Sequence, residues 1–467
     1  MKTKTIVITS ILAAILIPFI AVNATIYASD NDSEIDNNEN ALTLQIYING
    51  NKKIDRAWTS IINDFRDETD IEIKTYKGTQ VNTQLKSKWD DDTPPDFVWV
   101  DGNGINDVSL IGDGKFEDLS SWFETAEVFG ADEYTLVKDV VNNDLIYQYE
   151  GGKMYEMPLL GLIHGAYYDD NYMREKNFLI ADDSGQETTY HYPKNYDELL
   201  TFSMNVKNNG EDKKNSPLTY PGQYPSYLLW SYIMPCYAAD GDINFFNKIC
   251  NARDISVFSD PRFKAVLERF KSYADAGYIL NDSVNSNHTQ AQRAWLDHKA
   301  MAISNGMWLE GEVQDMLDEN PNFKMHFTTS PLVTSDQKSV SLVIPRNVAI
   351  ASKAKHKDNA YKFLSFLYKE ENQKRLCEAY SYFSVLDDVN YDDFNLTECT
   401  RQTFEEFENS ELKVYKKYDW GTVGDIFNNV INALVSNEYS VDVGIGKIID
   451  EAKKLKWEIK NHRKKAH

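Results

Sequence analysis

The segment Ala300-Met301-Ala302-Ile303-Ser304-Asn305-Gly306-Met307-Trp308-Leu309-Glu310 carries the most chemical information in the chain. A strand-like run ends at Gly306, and an indole follows two residues later. Gly306 is expected to adopt backbone angles closed to other residues and so to turn the chain sharply. Trp308 is then delivered to the carboxyl end of the strand, where open α/β sheets bind ligands. An indole in that position offers a flat apolar face suited to the CH face of a sugar ring. The competing reading is a tryptophan that anchors a helix start in the core. Glu310 adds a carboxylate able to accept hydroxyl protons, or it is simply an acid in the first helical turn.

Trp99 and Asp101 pair an aromatic with an acid at the end of the run Phe97-Val98-Trp99-Val100. Ring contact combined with charge-assisted acceptance is again sugar-like chemistry; a core ring and a loop cap are the alternatives. Tyr227 and Trp230, three residues apart in Tyr224-Pro225-Ser226-Tyr227-Leu228-Leu229-Trp230, suit either a cleft wall or a buried helix face. No metal or cofactor is expected. His164, His191, His288, His298 and His326 are scattered without metal-ligand spacing, and no Gly-x-Ser-x-Gly, His-Glu-x-x-His or phosphate-loop motif occurs. A glycosidase carboxylate pair is not excluded by sequence, because the chain holds 72 Asp and Glu residues.

The elements that position these residues alternate between strand and helix. Leu42–Tyr47 alternates as a strand, and Ile54–Glu68 places Ala57, Trp58, Ile61, Ile62 and Phe65 at helical spacing. Ile71–Tyr76 returns to strand, which predicts a parallel βαβ unit. Further helices are predicted at Tyr196–Val206, at Pro261–Ala276 after the cap pair Asp260-Pro261, and at Asn359–Tyr368. A lysine-rich closing helix is predicted over Glu451–His467, and Lys207–Ser216 reads as a charged surface loop. No internal repeat is present.

The chain has 467 residues, enough for two to three domain equivalents. Residues 1–24 have the pattern of a secretory signal, with Lys2 and Lys4 before the apolar run Ile6–Val22; an uncleaved anchor is the alternative. Residues 29–40 form an acidic, polar tether. Loss of the two signal lysines takes the net charge from −23 to −25, which argues against nucleic acid or an anionic lipid surface as the main partner. Cys236, Cys250, Cys377 and Cys399 leave two options: the local disulfides Cys236–Cys250 and Cys377–Cys399, or free buried thiols. With no cysteine beside the signal, lipid attachment there is not expected. The localisation expected is therefore extracytoplasmic.

In order and spacing, several motifs between about Leu42 and Glu458 resemble the sugar-binding proteins of bacterial ABC importers, the maltodextrin-binding type. They are Pro95-Asp96-Phe97-Val98-Trp99, Tyr155-Glu156-Met157-Pro158 with Tyr167-Tyr168-Asp169-Asp170, Asn195-Tyr196-Asp197-Glu198-Leu199, Trp295-Leu296-Asp297-His298-Lys299-Ala300-Met301 with Gly306-Met307-Trp308, and Ser352-Lys353-Ala354 with Ala360-Tyr361-Lys362-Phe363-Leu364. The stretch Val343-Ile344-Pro345-Arg346-Asn347 departs from the family by lacking its glycine pair. The resemblance implies a two-lobed α/β periplasmic binding protein fold of type II with discontinuous lobes. Lobe one would comprise 41–160 plus 347–388, and lobe two 161–346 plus 389–467. It further implies a sugar or oligosaccharide in the interlobe cleft, hinge closure, delivery of the ligand to ABC-importer permease subunits, and a monomer without enzymatic activity. By the same resemblance Trp420 occupies the place of a late ring-stacking aromatic, Arg346 lies at the presumed hinge, and Tyr382 is a further candidate in Tyr380-Ser381-Tyr382-Phe383-Ser384. A sugar-sensing accessory protein for a membrane kinase, or a secreted carbohydrate-active enzyme, are the alternatives.

Overall fold

The computed structural model describes residues 38–465, apart from 49–50, 101–104, 106, 150, 183–187, 210–213, 253 and 416–421. The expected signal and most of the expected tether therefore lie outside the described residues. Twelve strands are described: β1 (Ala41–Tyr47), β2 (Glu72–Gly78), β3 (Phe97–Val100), β4 (Met157–Asp169), β5 (Ile180–Asp182), β6 (Thr189–His191), β7 (Ser216–Thr219), β8 (Ala300–Gly306), β9 (Met325–Thr328), β10 (Val340–Ile350), β11 (Phe383–Ser384) and β12 (Leu412–Tyr415).

The opening βαβ unit forms as its periodicity requires. The helix Lys52–Thr69 starts where the Asn51 side chain accepts the Lys53 amide, and it buries Ile54, Trp58, Ile61, Ile62 and Phe65 along one stripe. It returns the chain to β2, which pairs parallel with β1 (Leu44 opposite Thr75). The helices Tyr196–Asn209, Pro261–Asp275 (capped by Asp260) and Lys357–Phe366 agree with expectation to within a few residues at their ends. The C-terminal helix starts earlier than its lysine-rich end suggests and spans Val441–Lys465. Part of the predicted surface loop is helix and strand, since the helix runs on to Asn209 and β7 begins at Ser216.

The main sheet has the order β2-β1-β3-β10-β4-β8-β7, with β11 and β9 added beside β4 and β12 beside β10. The architecture is two-lobed α/β, and two long strands belong to both sides of it. β4 pairs antiparallel with β10 from Met157 to Ile163, then with β8 and β9 from His164 to Asp169. β10 pairs parallel with β12 through Val340–Val343 and antiparallel with β3 through Asn347–Ile350. The β4–β10 register shifts between Arg346 and Asn347, one residue after Pro345 faces Gly161. A proline cannot donate to the ladder, so a pairing irregularity beside it is expected.

One apolar cluster runs from Leu44 and Phe97 through Leu160, Leu162 and Val348 to Ile303, Met307 and Leu309; a second fills the body around Phe202, Tyr232, Phe263 and Phe427. The Pro95-Asp96 motif has a structural use. The buried Asp96 carboxylate accepts the amides of Thr43 and His356 and the Thr43 hydroxyl, tying β1, β3 and the start of the helix Lys357–Phe366 together. All four cysteines are free and buried, the second of the two options left by the sequence.

Gly165 in β4 tests the packing where the strand changes partners. A Cβ there would lie 2.2 Å from the Thr328 carbonyl oxygen and 2.4 Å from the Phe327 ring. Gly165→Ala is expected to lower stability by about 1–3 kcal/mol through overpacking. Chemical denaturation measures it, and an unchanged midpoint would show that β9 can move aside.

Candidate functional site

Trp308 is positioned by a fully buried strand and the helix that follows it. β8 is buried along its whole length, and the Met307 sulfur accepts the amide of Ile163 on β4 at 3.4 Å. The helix Leu309–Glu319 begins directly after Trp308. Gly306 is needed for a reason other than the one expected. It is not among the glycines in the left-handed region; instead the indole folds back over it, and a Cβ at 306 would lie 2.3 Å from the Trp308 ring. The glycine is a seat for the ring rather than a turn in the chain.

Around the half-buried indole stand side chains from five other segments. His164 of β4 lies edge-on at 5.0 Å between centroids, and Tyr227 lies edge-on at 5.4 Å. The Arg346 guanidinium, from the irregular step of β10, sits 5.6 Å above the indole, within cation–π range. Tyr382 borders the same crevice. It follows Ser381, whose left-handed φ of 58° ends the helix Glu370–Tyr380 and turns the chain. Asn51 and Lys53, at the start of the first long helix, complete that side opposite Trp308 and Gly311. The enclosed gap between the two walls is about 50 Å³, too small for a sugar ring, so a ligand there must displace side chains or part the walls.

The predicted residues fall into three groups. Trp308, Tyr227, Arg346 and Tyr382 are brought to one neighbourhood: Trp308 and Tyr382 line the gap, while Tyr227 and Arg346 contact the Trp308 ring. Trp230 lies nearby in a π-helical turn (Leu229–Ile233) and packs against both core clusters at their seam. Asp101 and Trp420 lie outside the described residues.

Trp99 and Glu310 are corrections. Trp99 is fully buried, stacked on Tyr380 at 5.3 Å and 10° and edge-on to Trp58 at 5.7 Å. Strand alternation places it with Phe97 on the helix-covered side of the sheet, so it is a core ring rather than a ligand platform. Glu310 borders the crevice, but its carboxylate already accepts the Thr397 and Thr400 hydroxyls at 2.7 and 3.0 Å. It clamps the helix Leu309–Glu319 to the helix Glu398–Asn409, and burial raises its pKa.

The acid that does accompany the rings is Glu312. It lies one helical turn after Trp308, and its amide donates to the Trp308 carbonyl, so it shares the indole's face. Glu310, two residues on, points elsewhere. Glu312 is exposed to solvent and accepts Gln292 Nε2 at 2.7 Å, yet the surrounding protein strips enough hydration to push its pKa up to about 7. His164, His288, Gln292 and Tyr224 also belong to this neighbourhood and carry no motif that would have marked them. His288 stacks on Tyr224 at 4.1 Å and stands edge-on to Tyr227 at 5.2 Å.

The arrangement suits a neutral, polyhydroxylated ligand. Rings cover apolar faces, while Glu312, Gln292 and Arg346 supply acceptors and donors for a hydroxyl rim. Comparison with known proteins gives the family. The family model for bacterial extracellular solute-binding proteins matches residues 49–374. The chain belongs to that family.

No curated protein sequence matches this solute-binding protein. Among solved structures it is similar to a sugar transporter from Bacillus licheniformis in complex with stachyose (16% identity, TM-score 0.59, covering 88% of this chain and 98% of that one). It is also similar to a chitin oligosaccharide binding protein (14%, TM-score 0.67, 89% and 98%) and to RafE in complex with raffinose (17%, TM-score 0.62, 89% and 99%). At these identities the likeness establishes the shared fold.

The raised Glu312 pKa predicts a pH signature. Between the ordinary value of 4.5 and about 7 the folded chain holds a proton that the unfolded chain releases. The resulting stability is full below that window and is lost as pH rises through about 7. Glu312→Gln should therefore lose less melting temperature than wild type across the window, as followed by circular dichroism. Parallel curves for the two proteins would refute the assignment.

Proposed function

We propose that this protein captures a sugar or oligosaccharide between its two lobes and presents it to the permease of an ABC importer. The observation that carries the reading is the convergence of Tyr227, Arg346 and Tyr382, from distant parts of the chain, around the half-buried indole of Trp308: Tyr227 and Arg346 against the ring, Tyr382 across the gap that the ring lines. None of Trp308, Tyr227 and Arg346 is fully buried, so each can exchange a protein neighbour for a ligand. The stachyose, chitin-oligosaccharide and raffinose named with its structural neighbours support carbohydrate as the ligand class.

The lobes divide as 41–160 plus 347–388 and 161–346 plus 389–467, with the hinge in β4 and β10. The change of partners along β4 after Ile163 and the register shift at Arg346/Asn347 support this division. Closure of the walls over the ligand creates the surface that the permease reads. The protein acts outside the cytoplasm, as a monomer, with no cofactor and no chemical step of its own.

Two measurements test this reading. In a thermal-shift and calorimetry screen over mono- and oligosaccharides, a bound sugar raises the melting temperature in proportion to its affinity. Trp308→Ala should weaken that binding by about 2–4 kcal/mol, the scale of a central aromatic contact, while the fold persists. Normal binding by the variant would show that the site lies elsewhere. Labelled oligosaccharides incubated with the protein should be recovered intact, and turnover would replace the binding reading with an enzymatic one.

A further inference from the structure

A second cleft opens on the other face of the long strand pair. Gly161 of β4 and Val343 of β10 form its floor, and strand alternation puts Gly161 on the face opposite His164, whose ring meets Trp308. Its walls are the segment 386–392, the helix Glu398–Asn409 and Tyr415 at the end of β12. The cleft holds about 660 Å³, against about 50 Å³ at Trp308, a size ordinary for small-molecule sites.

At its base the buried Phe383 stacks on Phe404 at 4.3 Å and fixes the helix against β11. Above that contact Val389, Tyr391, Phe407 and Tyr415 are each half-buried, so apolar surface is left facing the opening. One of these rings already takes a cation, since the Lys413 ammonium stands 4.6 Å from the Phe407 centroid.

The lining carries five carboxylates and two cations. Both cations are engaged: Lys413 pairs with Glu408 at 2.6 Å, and Arg401 donates to the Phe394 carbonyl at 2.8 Å. Among the described residues, Asp387, Asp388, Asp392 and Glu405 form no ion pair. Asp387 is crowded by like charge, and its pKa is raised by burial first, then by the Asp388 and Asp144 carboxylates. A cation placed between these acids relieves their repulsion.

We propose that this cleft is a second binding site, separate from the crevice at Trp308, for a small organic cation with an apolar body. Its ammonium is held by Asp387 and Asp388, and its body lies against Tyr391, Phe407 and Tyr415. A bare metal ion would leave the rings uncovered, and a neutral sugar would leave the like charges facing one another. The site does not depend on the carbohydrate reading.

Isothermal titration calorimetry of the full chain tests it with phenethylammonium, spermidine and Mg²⁺, in about 0.15 M NaCl to screen long-range attraction to an acidic protein. One of the two amines should bind saturably at a single site, and Mg²⁺ should not. Asp387→Asn with Asp388→Asn should weaken amine binding about tenfold, the scale of one charge-assisted contact. Asp132→Asn with Glu133→Gln, which removes two exposed charges outside the cleft, should leave it unchanged. Glu405→Gln, on the helix wall, should also weaken it and reads the site if the first double variant is unstable. Equal weakening by both double variants, equal binding of Mg²⁺, or no saturable binding of either amine overturns the assignment, and each leaves carbohydrate binding standing.

Discussion

The antiparallel pairing of β4 with β10 is the constraint on which the rest of the molecule depends. These two strands are long because each serves two neighbourhoods, and they carry the backbone connection between the β1–β3 side and the β7–β9 side of the sheet. Backbone hydrogen bonds resist sliding, so any movement of one side of the sheet against the other would require bending within the pair. Pro345 opposite Gly161 and the register shift after Arg346 place the weakest part of the ladder in the middle of it. The apolar cluster continuing beneath from Val348 and Leu160 to Met307 and Leu309 limits how far such bending can go without exposing core. Arg346 is carried on this irregular step, which sets its guanidinium above the indole.

Partial burial is what separates the crevice rings from the many other aromatics in this chain. Trp58, Trp99 and Trp295 have no surface left to offer, and their contacts hold the lobes together. Trp308, Tyr227 and His288 have protein on some sides and space on others. Polar groups in such a place are held ready by neighbours: Gln292 orients the Glu312 carboxylate, and Thr397 and Thr400 occupy that of Glu310. Two acids in the first turn of one helix thus differ: Glu310 is held by threonine hydroxyls, and Glu312 stays exposed beside the rings.

The fold was largely legible in the sequence because its signals are periodic and local. The helical stripe from Ile54 to Phe65, the cap pair Asp260-Pro261 and the alternation of Leu42–Tyr47 each report their own element. The site was legible in part. Trp308 was marked by the glycine before it, although the glycine serves a close approach that sequence cannot display. Trp99 misled because a four-residue apolar strand does not say which of its faces is covered. Glu310 and Glu312 share the first turn of one helix, and only the bonds that Thr397 and Thr400 make to Glu310, from a distant segment, tell the two acids apart. His288 and Tyr224 carry no local signature, since their relation to Trp308 arises from packing between segments more than sixty residues apart in one case.

The cysteines have a practical side. All four are free, and burial pushes the thiols of Cys236, Cys377 and Cys399 well up, Cys236 to about 12, so these sulfurs hold their protons and are slow to react. A cysteine introduced on the surface would then be the fast-reacting thiol of the native molecule. Fluorophores or spin labels could be placed singly or in pairs, one on each lobe, without first stripping the natural residues from the core. Opening and closing would become a distance that can be read in solution.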